Sequence, residues 1–319
     1  MNKTIFTPIY KTKAHSEYNA LKILESSLLR EENVVPYIEA IKSYNDKNVA
    51  KYINFFRDNG KPFIFEPIPA DVEELKKDES LLPNNCILCM RVTKASSKTD
   101  VNDFINECRS CDRAFGLKID NSDDRFIDLL SGLRHDELLF VELNGTSLSA
   151  SDFLDDLLDY KLHCPIIVHS NERFQYLRGD DFKDDDFNNK NNFNTSIIDS
   201  IKEGKFKFAG FGSRCSAKND NTEDIKRSAS VRGVFLIYCF EQNNFYSLIS
   251  DEKNHISRVY TEFIPKLLTH QSDLESRFLN YTPLSKIEFN KCTSKSKLSS
   301  NALITVSIVR YIEEILSNL

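Results

Sequence analysis

Hydrophobic and polar positions alternate along this chain in a repeated two-part rhythm. A short segment of apolar, β-branched or aromatic residues comes first, followed by a longer stretch in which apolar residues recur at helical spacing. Eight short segments are readable: Thr4 to Lys11, Val34 to Lys42, Pro62 to Ile68, Cys86 to Val92, Ala114 to Asp120, Leu138 to Asn144, Cys164 to Ser170 and Phe206 to Phe211. The first seven start 24 to 30 residues apart and the eighth 42 residues after the seventh. Each interval holds one strand, one helix and two loops, a spacing that calls for parallel strands. The stretches between read as capped amphipathic helices. Asp46 precedes KNVAKYINFFRDN with Gly60 as a stop, Ser122 precedes DDRFIDLLSGL, and Ser149 or Ser151 precedes DFLDDLLDYKL. Eight strand-then-helix units predict an α/β fold, a closed (β/α)8 TIM-like barrel; an open doubly wound sheet is the alternative topology.

The long seventh interval carries Gly179 to Asn194, acidic and Asn-rich with phenylalanines spaced through it. In a barrel this loop would emerge at the carboxyl end of the strands, where it reads either as a lid or partner-binding loop or as a solvated insertion. After the eighth strand, residues 233–250 predict a β-hairpin around Gln242, Asn243 and Asn244. Two helices follow, Ile256 to Leu268 and Ala302 to Leu316, with a polar Ser/Lys-rich linker near Lys291 to Ser300. The expectation is one domain over 1–319, with the eight strands inside 4–211 and the hairpin and helices of 233–319 packed on the barrel.

Composition narrows the function classes. A chain of 319 residues with 40% hydrophobic and 11% aromatic residues has material for a large core. A net charge of -6 argues against a protein whose main task is coating nucleic acid. No segment reads as a secretory signal or a membrane span, so the expected place is the cytoplasm and no membrane partner is expected. Neither GxGxxG nor GxxxxGK[ST] follows any strand, which removes the usual marks of dinucleotide and P-loop sites.

Candidate chemistry comes from strand alternation, because only every second side chain shares a face. In the fifth strand Gly116, Lys118 and Asp120 share the face opposite Phe115, Leu117 and Ile119. The same phase joins Thr7, Ile9 and Lys11; Val35, Tyr37 and Glu39; Ile64 and Glu66; Cys89 and Arg91; and Phe140 and Glu142. His169 stands at the end of the seventh strand. Lys11, Glu39, Glu66, Arg91, Lys118, Glu142 and His169 are therefore expected as a charged ring at the carboxyl ends, the face on which barrel enzymes keep their catalytic residues. Such a ring reads either as acid–base or metal chemistry, or as an internal ion-pair network. For a metal, Glu39, Asp120 and Glu142, with Glu66 and His169 beside them, form an oxygen-rich set suited to Mg2+ or Mn2+.

Cys86-x-x-Cys89 and Cys108-x-x-Cys111, with 18 residues between the pairs, fall within zinc-ligand spacing. Cys86 to Met90 is an apolar strand, however, and its two thiols would point to opposite faces, as buried small hydrophobes do. The eight cysteines of so long a chain are expected as reduced thiols.

The opening FTPIYKTKAHSEYNALKIL, followed by ENVVPYIEAIK, resembles the start of the beta protein family, named from a bacteriophage protein. The positions that carry it are Pro8, Lys11, Lys13, Glu17, Ala20, Leu21, Pro36 and Glu39. A second stretch, His169 to Phe174 through Gly210-Phe211 to Leu248-Ile249-Ser250-Asp251, is similar to a bacterial branch of that family found beside a small restriction-nuclease-like protein. Ser213-Arg214-Cys215 departs from the branch's acidic and aromatic residues. The resemblance implies a component of an antiphage or mobile-element system with a nuclease-like partner encoded nearby, and supplies no catalytic mechanism. Three readings follow: a barrel that binds a nuclease partner or phage trigger, a metal-dependent phosphodiesterase acting on nucleotides or nucleic acid, and a regulator that senses a small ligand in the charged mouth.

Overall fold

The structure is a computed structural model that describes residues 4–12, 15–120, 127–143, 148–160, 162–170, 191–192, 195–214, 234–240, 244–249, 283–294 and 300–319. The chain forms two compact units: residues 1–14, 27–172 and 204–214, and residues 15–26, 173–203 and 215–319.

The first unit is a closed eight-stranded parallel barrel. Its strands are β1 (Ile5–Lys11), β2 (Tyr37–Glu39), β3 (Phe63–Glu66), β4 (Cys86–Arg91), β5 (Phe115–Asp120), β6 (Leu138–Leu143), β7 (Ile166–Ser170) and β9 (Gly210–Arg214). β9 closes the barrel by pairing with β1 on one side and β7 on the other. The expected fold class is thus present, and seven strands lie where hydrophobic patterning put them. The eighth is shifted: Phe206 and Phe208 precede it, and the strand itself is the glycine-rich Gly210–Arg214. Strand patterning favours apolar, β-branched residues, whereas this strand is made small by its surroundings.

Local chemistry explains the helices. In chain order, α1 (His15–Ile23) and α2 (Glu25–Arg30) follow β1. In α3 (Lys47–Asn59), after β2, the Asp46 carboxylate accepts the Asn48 amide at 2.8 Å, and Gly60, at φ 67°, returns its N–H to Phe56. Val49, Tyr52, Ile53, Phe55 and Phe56 form its buried face. The short α4 (Pro69–Leu75) follows β3 and opens on a proline, which needs no amide partner there. In α5 (Lys98–Ser110) Ser97 and Asp100 make a reciprocal capping box, and Val101, Phe104, Ile105 and Cys108 turn inward. The expected cap Ser122 lies outside the described residues; the short α6 (Ile127–Leu130) follows it. α7 (Leu148–Asp159) starts at Leu148, so Ser149 and Ser151 lie inside the helix rather than before it.

Inside the barrel Ile9, Tyr37, Ile64, Cys89, Phe140 and Ile167 pack as one cluster, with Ile5, Val35, Ile87 and Leu138 against it. Every member obeys the alternation read from the sequence. One step toward the carboxyl ends on the same faces are the charged positions.

The second unit contains α1, a three-stranded antiparallel sheet of β8 (Asn191–Asn192), β11 (Asn244–Ile249) and β10 (Val234–Cys239), and helices α8 (Thr195–Lys202), α9 (Pro283–Thr293) and α10 (Ser300–Leu316). The β10–β11 ladder is the expected hairpin. Of the acidic Asn-rich segment, only Asn191 and Asn192 are described, as the β8 strand on β11; the rest of it, and the expected helix over Ile256 to Leu268, lie outside the described residues. α9 takes the first residues of the expected linker, since Lys291, Cys292 and Thr293 are helical, while 295–299 lie outside the described residues. Its first amides are capped from another helix, since Glu313 of α10 accepts Leu284 N–H at 3.0 Å and Ser285 N–H at 2.9 Å. α10 packs on α1, α9 and β10. It buries Leu303, Val306, Ile308, Val309, Tyr311, Ile312 and Ile315, and also Arg310, whose guanidinium lies 3.4 Å from Glu314. Among the described residues no helix is long and apolar enough to cross a membrane.

Candidate functional site

The carboxyl ends of β3 to β6 assemble a four-membered ion-pair network. Arg91 donates from Nε to Glu66 Oε1 at 2.5 Å and from Nη1 to Glu142 Oε2 at 2.6 Å. Lys118 Nζ lies 3.1 Å from Glu66 Oε2 and 3.4 Å from Glu142 Oε1, and 5.0 Å from the Tyr37 ring centroid. Each carboxylate therefore meets both cations, and each cation meets both carboxylates. The Tyr37 hydroxyl adds a 2.6 Å hydrogen bond to Glu66 Oε2. Alternation puts the four groups inside; the strand register Arg91↔Lys118 and the neighbouring Asp120↔Glu142 bring them level.

Electrostatics fix the protonation of this network. Burial alone would push the Glu66 carboxyl up, but Lys118 and Arg91 outweigh it and hold it at about 2. Burial would pull the Lys118 ammonium down, but Glu66 and Glu142 outweigh it and raise its proton affinity. Arg91 moves upward for the same reason. Tyr37, desolvated beside Cys89 and Glu66, is held well above its ordinary range and stays protonated. Lys118 is thus a fixed cation rather than an amine nucleophile, and Glu66 a fixed anion rather than a proton donor.

His169 occupies a different niche. It is fully buried, edge-on to Tyr37 at 4.7 Å and tilted against Phe140 at 5.0 Å between ring centroids. Its Nε2 lies 3.0 Å from Thr7 Oγ1, and its Nδ1 is buried without a hydrogen-bond partner. Burial, helped by the Lys118 charge, pushes the imidazole well below its usual range, so the ring is neutral. Gly212 makes the room: a Cβ there would collide with Thr7 Oγ1 and stand 2.7 Å from His169 Nε2. Thr7 and Gly212 are parts of the site that charge patterning does not disclose; the available signals are an inward Thr in β1 and glycines inside a strand.

The remaining expected residues divide. Lys11 pairs with Glu39 at 3.3 Å, in register with Glu66 but with a partnership of its own. Asp120, half-buried, lines a pocket of about 170 Å3 with Arg91, Thr93, Lys94, Lys118 and Glu142. The expected metal set Glu39, Asp120 and Glu142 is not assembled. Glu39 is engaged by Lys11 and Glu142 by Arg91 and Lys118, and among the described residues no three His, Cys, Asp or Glu side chains converge as metal ligands. Among the described residues the donors do not assemble a Mg2+ or Mn2+ site. The thiols of β4 point apart as expected: Cys89 joins the inner cluster beside Tyr37, with its thiol pushed by burial up to about 12, while Cys86 lies on the opposite face near Arg113.

No protein-family model matches the chain, and no curated protein matches it in sequence. Among solved structures it is similar to tryptophan synthase from M. tuberculosis in an open form with BRD0059 bound, at 8% identity over 67% of this chain and 83% of that one, with a TM-score of 0.41. It is similar to a protein of Aquifex aeolicus VF5 at 10% identity over 66% of this chain and 82% of that one, TM-score 0.42. It is also similar to tryptophan synthase subunit alpha from Campylobacter jejuni, at 13% identity over 66% of this chain and 86% of that one, TM-score 0.36.

Proposed function

We propose that this barrel is a sensing and partner-binding component of a bacterial antiphage or mobile-element system, and that its mouth binds a small ligand without transforming it. One observation carries the binding half of this reading: the closed Arg91, Glu66, Lys118, Glu142 network. Catalysis by general acid or base needs a group that exchanges its proton near the working pH, whereas here Glu66 is locked ionised, Lys118 locked charged and His169 locked neutral. What such an array does well is present fixed charges to a ligand in a preorganised geometry. The defence half is supported by the resemblance of the Pro8 to Glu39 segment and of the His169 to Phe174 segment to the beta protein family, whose bacterial branch accompanies a nuclease-like protein.

The test has two arms. Purified full-length protein is assayed for hydrolysis of mono- and dinucleotide phosphodiesters with and without Mn2+, beside Glu39→Gln/Glu142→Gln. It is also co-expressed with a nuclease-like protein encoded nearby, the partner this reading expects, and analysed by size-exclusion chromatography. No turnover and a stoichiometric complex are expected. Mn2+-dependent turnover by the wild type alone would replace this reading with the phosphodiesterase one.

A further inference from the structure

We draw no further inference here: the strongest candidate, the pocket at the carboxyl ends of β4, β5 and β6, belongs to the site already described, and its charged lining is held in the closed Arg91, Glu66, Lys118, Glu142 network or, at Lys94 and Asp120, has partners of its own.

Discussion

Lys118 Nζ and Glu66 Oε2 face each other at 3.1 Å, with side chains 1% and 5% accessible. A pair so enclosed matters most when one member is lost, because the survivor keeps the desolvation cost and loses the compensating charge. Lys118→Met should destabilise the barrel by about 3–5 kcal/mol, measured by chemical denaturation. Lys118→Met/Glu66→Gln, which removes both charges, should recover part of that loss.

Gly212 provides a second test, one of space. Gly212→Ala forces a methyl into the Thr7–His169 contact and should cost about 1–3 kcal/mol, as overpacking of a filled interior does. Gly60 is the converse case: a Cβ added there would meet nothing within 4 Å, but the residue sits at φ 67°. Gly60→Ala should cost about 1–2 kcal/mol through backbone strain alone, and Gly60→Asn less than Gly60→Ala. Thermal and chemical denaturation of the three variants separate the two causes.

Acid should weaken the protein in two stages. His169 refuses in the folded barrel a proton that the unfolded chain accepts below the ordinary histidine value of 6.5, so stability falls as pH drops through that value. The slope contributed is about 1.4 kcal/mol per pH unit. Glu66 keeps its charge down to about 2 against an ordinary 4.5, so a further loss sets in below 4.5 and is complete near 2. Denaturation free energy followed from neutral pH down into the acid range should show both stages, and His169→Gln should remove the first while leaving the second.

Glu313 makes a prediction for the second unit. Both of its oxygens cap the first amides of α9, so Glu313→Ala should cost about 1–2 kcal/mol, as loss of a helix cap does. Hydrogen exchange should quicken at Leu284 and Ser285 before it does in α10.

What the sequence disclosed, and what it hid, depends on the range of each interaction. Which residues face inward is a local property of a strand with period two, so Glu66, Arg91, Lys118, Glu142 and His169 could be placed inside from alternation alone. Which of them meet depends on register between strands 25 to 52 residues apart in sequence, the separations of the Arg91–Glu66 and Lys118–Glu66 contacts. No local pattern records that. The expected metal set is divided in the same way: Glu39 and Glu142 share a face with the other carboxylates, but the register pairs them with Lys11, and with Arg91 and Lys118. The eighth strand was displaced because Gly210 and Gly212 are small for the benefit of β1 and His169, and small residues weaken the apolar signature by which strands are recognised. α9 was missed because its polar composition masks a helix whose start is held by Glu313, far downstream in α10.

The way the two units share the chain sets the order in which they can be finished as the protein is made. β9 supplies the last edge of the barrel, so the barrel can close once residue 214 has left the ribosome. α1, encoded directly after the first barrel strand, packs on α10. The Thr305 hydroxyl donates to the Ser16 carbonyl at 3.2 Å across 289 residues of sequence. Until that distant helix is synthesised, α1, whose Ala20 and Leu21 are buried in the folded chain, lacks its packing partner α10. A long-separated contact of this kind forms slowly and leaves apolar surface open to wrong partners in the interval. Translation would therefore be the period in which this chain most needs a chaperone, and α1 the element a chaperone would hold.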